Sequence, residues 1–149
     1  MLLELGSKNY SCAQILLIAA LRLQGRENPE LIRAMSGLAE GGGGSGNTCG
    51  AFTGGACLLS LYSAKGENDE MPLENHKLLM EAFSSWFQES FCANNPHLLC
   101  DSLLGANGAS GAQAMPPRQC AAMIAQVWEK AIELLCEYGL DPTDSKARA

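Results

Sequence analysis

The chain has 149 residues and a net charge of −6, with 10 Lys and Arg against 16 Asp and Glu. Hydrophobic residues make up 47% and charged residues 17%. That balance excludes a disordered chain, which combines low hydrophobicity with high charge. The acidic surplus argues against a nucleic-acid partner, which needs a basic surface. One core-bearing domain over 1–149 is the expectation for this length.

The pattern is helical from end to end. Ser7 to Gln24 carries Ile15, Leu16, Ala19 and Leu23 on one stripe, with Cys12 beside them, the spacing of a core-facing helix. Gly25 ends it. Asn28 can cap a second helix and Pro29 suits its first position, with Leu31, Ala34, Met35 and Leu38 as its apolar side. Six of the 16 glycines fall within residues 37–46. The run Gly41 to Gly46 reads as a backbone that wraps a site. It lacks the terminal Gly-Lys-Ser/Thr of a phosphate-binding loop.

Asn47 or Thr48 caps a third helix, predicted to reach about Ser63. Glycine inside a helix costs about 0.5–1 kcal/mol relative to alanine. Gly50, Gly54 and Gly55 therefore point to close approach by another backbone or a ligand. Such packing could lie within one subunit or across a homodimer. Pro72 is expected to open a fourth helix with Leu79, Met80, Phe83, Trp86, Phe87 and Phe91 as a wide apolar face. Asn95-Pro96 starts a short helix that ends before Gly105, and residues 105–114 read as a loop. Pro116-Pro117 begins a last long helix with Cys120, Ile124, Val127, Ala131, Leu134 and Tyr138 along one stripe. The tail, 139–149, is expected to fray. No alternating β-branched run appears, so the expected fold is an all-α single-domain bundle of five or six helices.

No apolar run approaches the length of about 20 residues needed to span a bilayer. The start of the chain lacks the basic and small-residue frame of an export signal. A cytoplasmic protein without a membrane partner is the expectation. In that compartment cysteines serve metal or redox chemistry more often than structural disulfides.

The seven cysteines lie at 12, 49, 57, 92, 100, 120 and 136. None forms a Cys-x-x-Cys pair, so zinc-finger spacing is absent, as are the tandem spacings of ferredoxins. Cys49 sits at a predicted helix start, where the macrodipole can lower a thiol pKa, and Gly50 beside it leaves its face open. Cys12, Cys100 and Cys120 also lie near helix starts, and four such cysteines could converge. Cys57, Cys92 and Cys136 have no special context. His76 and His97 read as surface or capping residues, although His97 could share a helix face with Cys100. Each cysteine also suits a bland role as a small buried hydrophobe.

Asn9-Tyr10-Ser11-Cys12-Ala13-Gln14 and Cys49-Gly50-Ala51-Phe52-Thr53-Gly54 together resemble a family of small redox-active proteins, the C_GCAxxG_C_C family. Its name spells a lone cysteine, a GCAxxG motif and two later cysteines; this chain reads Cys-Gly-Ala at 49–51, where the motif has Gly-Cys-Ala. The glycine run before the motif, Cys100-Asp101-Ser102-Leu103-Leu104-Gly105 and Cys120 extend the resemblance over about residues 5–138. It implies a redox role, and its relation to split-Soret cytochromes implies that the fold can hold an iron–sulfur cluster. Covalent haem is not expected, because no Cys-x-x-Cys-His is present.

The expected function is electron transfer or redox sensing through a cysteine-ligated metal or iron–sulfur site, working with a redox partner protein. Cys12, Cys49, Cys100 and Cys120 are the expected ligands, with Gly50 beside the cofactor. Three alternatives stand beside it. One is metal-free thiol–disulfide chemistry with Cys49 as the attacking thiol. Another is a structural zinc site on the same four thiolates. The last is a helical interaction module. No reaction or substrate is legible.

Overall fold

The computed structural model describes residues 1–92 and 118–144. Six α-helices run through them, and no β-strand occurs among the described residues. They are α1 (Leu2–Ser7), α2 (Cys12–Leu23), α3 (Pro29–Met35), α4 (Gly50–Ser63), α5 (His76–Phe91) and α6 (Arg118–Glu137). A 3-10 segment, Ser36–Gly41, follows α3. The protein is all-α. The short helix expected after Asn95-Pro96 and the loop at 105–114 lie outside the described residues, as do His97 and Cys100.

The helix predicted over Ser7 to Gln24 begins only at Cys12, after a separate short helix that ends at Ser7. Asn9 adopts a left-handed φ of 65° between α1 and α2, a conformation asparagine tolerates better than most residues. The break makes Ser11 the N-cap of α2, where its backbone N–H donates to Gln14 Oε1 at 3.0 Å. Cys12 thereby becomes the first residue of α2. The Asn28-Pro29 start behaves as the sequence predicts: Asn28 Oδ1 accepts the Leu31 N–H at 3.0 Å, and Pro29 stands at the first helical position.

Gly41 to Gly44 and Gly46 all have φ between 57° and 90°. The run coils back on the segment before it. Gly43 N–H donates to Gly37 O at 2.8 Å and Gly46 N–H to Glu40 O at 2.9 Å. Those donors are spent within the loop rather than wrapped round a site. At Gly41 a Cβ would strike the Asn47 backbone, so that tight return excludes a side chain.

α4 is the central helix, packed against α2, α5 and α6. Its glycines make this possible. A Cβ on Gly54 would lie 2.6 Å from Ala13 Cα, and one on Gly55 would overlap the Phe83 ring. The close approach predicted from these glycines is a contact within the chain, to the α2 backbone and to side chains of α5 and α6. α5 opens at His76 rather than Pro72. Residues before it return to the end of α4, where Leu73 N–H donates to Ser63 O at 2.9 Å. Ser63 Oγ also meets His76 Nδ1 at 2.7 Å, tying the start of α5 to the end of α4.

The main core joins Leu16, Leu58, Leu59, Phe83, Phe87, Val127 and Leu135, each 2% exposed or less. Truncating a buried phenylalanine of this kind to alanine costs about 3–5 kcal/mol. The tail is anchored through Pro142, whose carbonyl accepts the Tyr62 hydroxyl at 2.7 Å.

Candidate redox centre

Four cysteines reach one region of the molecule from four helix ends. Cys12 opens α2, Cys49 is the N-cap of α4, Cys92 caps the C-terminus of α5, and Cys120 lies in the first turn of α6. Cys49, Cys92 and Cys120 are buried, at 6%, 7% and 9% exposure. None of the described cysteines is in a disulfide.

Gly50 sets the distance between the first two helix starts. A Cβ there would stand 3.3 Å from the Leu38 carbonyl oxygen and 3.6 Å from Cys12 Cβ. Its surface is closed by these neighbours rather than open, as the sequence suggests. Its role in the structure is to let the start of α4 settle against the start of α2.

The thiols differ in their electrostatics. The Cys12 side chain hydrogen-bonds Cys120 and holds its pKa below the ordinary thiol value, more than offsetting burial. Cys49 goes the other way. Burial pushes its pKa up, and the backbone N–H groups of Ala51 and Phe52 only partly oppose this. The Cys120 and Cys92 charges add to the upward push. The helix-start effect predicted for Cys49 is present, but desolvation outweighs it. Of the two thiols, Cys120 is thus the one shifted toward thiolate and Cys49 the one shifted away from it. Burial also raises Cys92 and Cys57.

Two further features frame the thiols. Cys49 donates to the Met123 thioether, with Sγ and Sδ 3.9 Å apart. Phe52, three residues after Cys49, stacks on Phe83 at 5.6 Å and meets Phe87 edge-on at 5.2 Å. Phe91, next to Cys92, lies 4.8 Å from Phe87. These aromatic contacts join the start of α4 to the end of α5.

Of the four predicted site cysteines, the structure brings Cys12, Cys49 and Cys120 together. Cys100 lies outside the described residues. Cys92 joins them unpredicted, because no local motif marks it; only the packing of α5 against α4 brings it there. Met123 was equally silent, although it follows Cys120 by three residues and so shares its helix face. Cys57 lies instead against a second apolar cluster of Ala13, Leu17 and Met35, and Cys136 is exposed.

A protein-family model described as "Putative redox-active protein (C_GCAxxG_C_C)" matches residues 10–134. The chain belongs to this family. The match includes the stretches that hold Cys12, Cys49, Cys92 and Cys120, so the family segment and the thiol region coincide. No curated protein and no solved structure matched the chain. No helix among the described residues is long and apolar enough to cross a membrane.

The donor set is sulfur only, which suits soft metals and iron–sulfur clusters. A single tetrahedral zinc with Zn–S bonds of about 2.3 Å needs its sulfurs about 3.8 Å apart. Among the described residues no three Cys, His, Asp or Glu side chains are grouped to hold one ion.

Proposed function

We propose that the protein is a redox carrier or sensor whose centre is an iron–sulfur cluster held by Cys12, Cys49 and Cys120, with Cys92 or Cys100 as the fourth ligand. The observation that carries this reading is the meeting of thiols at the N-terminal ends of α2, α4 and α6. Each helix start carries a partial charge of about +0.5. Three of them offset the negative charge of a thiolate-ligated cluster. A bound cluster supplies one-electron chemistry at a potential set by hydrogen bonds and burial.

The chain's own residues hold and tune this centre. Cys12 and Cys120 form the ready pair, since their hydrogen bond already favours thiolate at Cys120. Cys49 ionises when a cation replaces its proton, which offsets the burial that raises its pKa. Phe52, Phe87 and Phe91 form an aromatic cluster that packs the start of α4, which carries Cys49, against the end of α5, which carries Cys92. A redox partner protein exchanges the electron.

The Cys12–Cys120 contact favours a second reading, metal-free dithiol chemistry. The Cys120 thiolate attacks an oxidised thiol of a partner disulfide, and Cys12 resolves the mixed disulfide. The partner leaves with two thiols and this chain with one disulfide.

Isolation under anaerobic conditions, with visible absorbance and assays for iron, sulfide and zinc, separates the two. A brown sample containing iron and sulfide supports the cluster. A colourless sample that stays metal-free after reconstitution and yields a Cys12–Cys120 disulfide on mild oxidation refutes the cluster in favour of the dithiol. A colourless sample with one tightly bound zinc refutes both.

A further inference from the structure

We propose that Gln14 is a positioning residue of the redox centre: its side-chain amide clips the start of α2, which carries Cys12, to α3, and so sets the seat in which Gly50 places Cys49. The inference rests on the reading that these thiols form the centre, and adds to it a residue that is not a ligand.

Gln14 is the third residue of α2. Its side chain turns back on the helix start and makes two hydrogen bonds. Oε1 accepts the Ser11 N–H at 3.0 Å, and Nε2 donates to the Ile32 carbonyl of α3 at 2.9 Å. The two partners fix which way the amide points, since a backbone N–H only donates and a carbonyl only accepts. Each bond satisfies a group that its own helix leaves over. Ser11 is the N-cap of α2, so its N–H has no partner within that helix. At the end of α3 the backbone tightens into the 3-10 segment, and the Ser36 N–H turns to the Arg33 and Ala34 carbonyls. The Ile32 carbonyl thereby loses the donor that a continued α-helix would supply, and Gln14 replaces it.

The clip reaches the thiols through the chain that follows Ile32. Leu38 lies in the 3-10 segment and backs onto Gly50. A Cβ on Gly50 would stand 3.3 Å from Leu38 O, 3.6 Å from Cys12 Cβ and 3.9 Å from Ala13 N. Gly50 therefore sits between the two segments that Gln14 joins. Cys49 directly precedes Gly50, and Cys12 opens α2. The spacing of these two cysteines follows from the width of that seat. Residues that orient metal ligands from outside the ligand set are typically worth about 10–100-fold in metal affinity.

The test compares three variants of the full chain, each carrying Cys136→Ser to remove the exposed thiol. Gln14→Leu removes both bonds. Gln14→Glu keeps the acceptor for the Ser11 N–H and loses the donor to Ile32. Asn28→Ala removes the cap at the other end of α3 and leaves the clip intact. On the reduced, metal-free chains, diamide takes two electrons and two protons from a pair of thiols and one disulfide forms. Mass spectrometry reads the rate of closure at Cys12 and its partner. Both Gln14 variants should slow that closure about tenfold, because reacting atoms held about 1 Å out of place lose up to about 100-fold in rate. Asn28→Ala should leave it near the native rate. Where the isolated protein carries iron, both Gln14 variants should release it to a chelator about tenfold faster. In the native chain, the Gln14 side-chain amide resonance should move when the disulfide at Cys12 closes and stay in place when Cys136 is alkylated, a readout that survives if a variant misfolds. Native closure rates in either Gln14 variant, equal slowing by Asn28→Ala, or an amide resonance indifferent to the disulfide would overturn the proposal. Isolation without iron counts against the cluster reading alone, because closure at Cys12 and the Gln14 resonance are read on metal-free protein.

Discussion

Replacing Gly54 with alanine tests the packing that positions the thiols. The new Cβ would stand 2.6 Å from Ala13 Cα and 3.2 Å from both Ala13 Cβ and Leu16 Cδ1. Carbon atoms in good contact lie about 3.5–4.0 Å apart, so α2 must withdraw by about 1 Å. The nearest atom is backbone, and no rotamer change relieves the clash. Overpacking of this kind costs about 1–3 kcal/mol. Alanine regains about 0.5–1 kcal/mol in helix propensity. Because the nearest atom is backbone, the upper part of the overpacking range, about 2–3 kcal/mol, applies, and the net expectation is a loss of about 1–2.5 kcal/mol, or about 2–10 °C in Tm at about 2–4 °C per kcal/mol for a domain of this size. Urea unfolding followed by circular dichroism measures it. Gly50→Ala, with its nearest contact at 3.3 Å, should cost less in the same assay. A Gly54→Ala protein as stable as the native one would refute the packing argument, and with it the reason Cys12 and Cys49 share a site.

Other outcomes follow from the same geometry. Cys120 has a lowered pKa in the fold, so it contributes stability above its unfolded pKa that is lost as pH falls through the folded value; Cys12→Ala should raise that pKa and slow alkylation of Cys120 at neutral pH, read by mass spectrometry. Alkylation of Cys49 in the native, metal-free chain should lag behind that of Cys120 near pH 7, because burial raises one and the Cys12 hydrogen bond lowers the other. Tyr62 is pushed up to about 12, first by burial, with the Asp141 charge adding and a Gln24 hydrogen bond opposing. Its unfolded pKa is about 10, so the unfolded chain releases that proton first, and stability should fall as pH rises between those values. An ultraviolet titration should show one of the three tyrosines ionising last. Tyr62→Phe should remove this late step and cost about 0.5–1.5 kcal/mol through the lost bond to Pro142.

Much of the fold was legible because local signals and tertiary demands agree. Asn28 and Pro29 state a helix start, and the structure uses both. The stripe from Cys120 to Leu134 is buried along its length. The glycines of α4 announced a close neighbour, although only the packed structure says that Ala13 and Phe83 are those neighbours. Where the two levels part, the sequence misleads. Pro72 can open a helix, yet the chain first returns to Ser63 and starts α5 at His76. A stripe from Ser7 to Gln24 cannot reveal that Asn9 turns left-handed and resets the helix at Cys12.

The site divides in the same way. Cys12, Cys49 and Cys120 were visible as thiols at helix starts, which is a local property. Cys92 sits at a helix end without a motif and joins them through the packing of α5 against α4. The pKa of Cys49 depends on a balance of dipole and burial, and burial is a property of the assembled core. Met123 reads as one more apolar residue until Cys49 is found aimed at it.

The most direct test of the redox centre compares iron and sulfide retained by single Cys→Ser variants purified without oxygen. Cys12→Ser, Cys49→Ser and Cys120→Ser should each lose most of the iron and the visible absorbance, while Cys57→Ser and Cys136→Ser keep both. Equal iron across all five variants, or iron lost only at Cys57 or Cys136, would contradict a centre built from the helix starts of α2, α4 and α6.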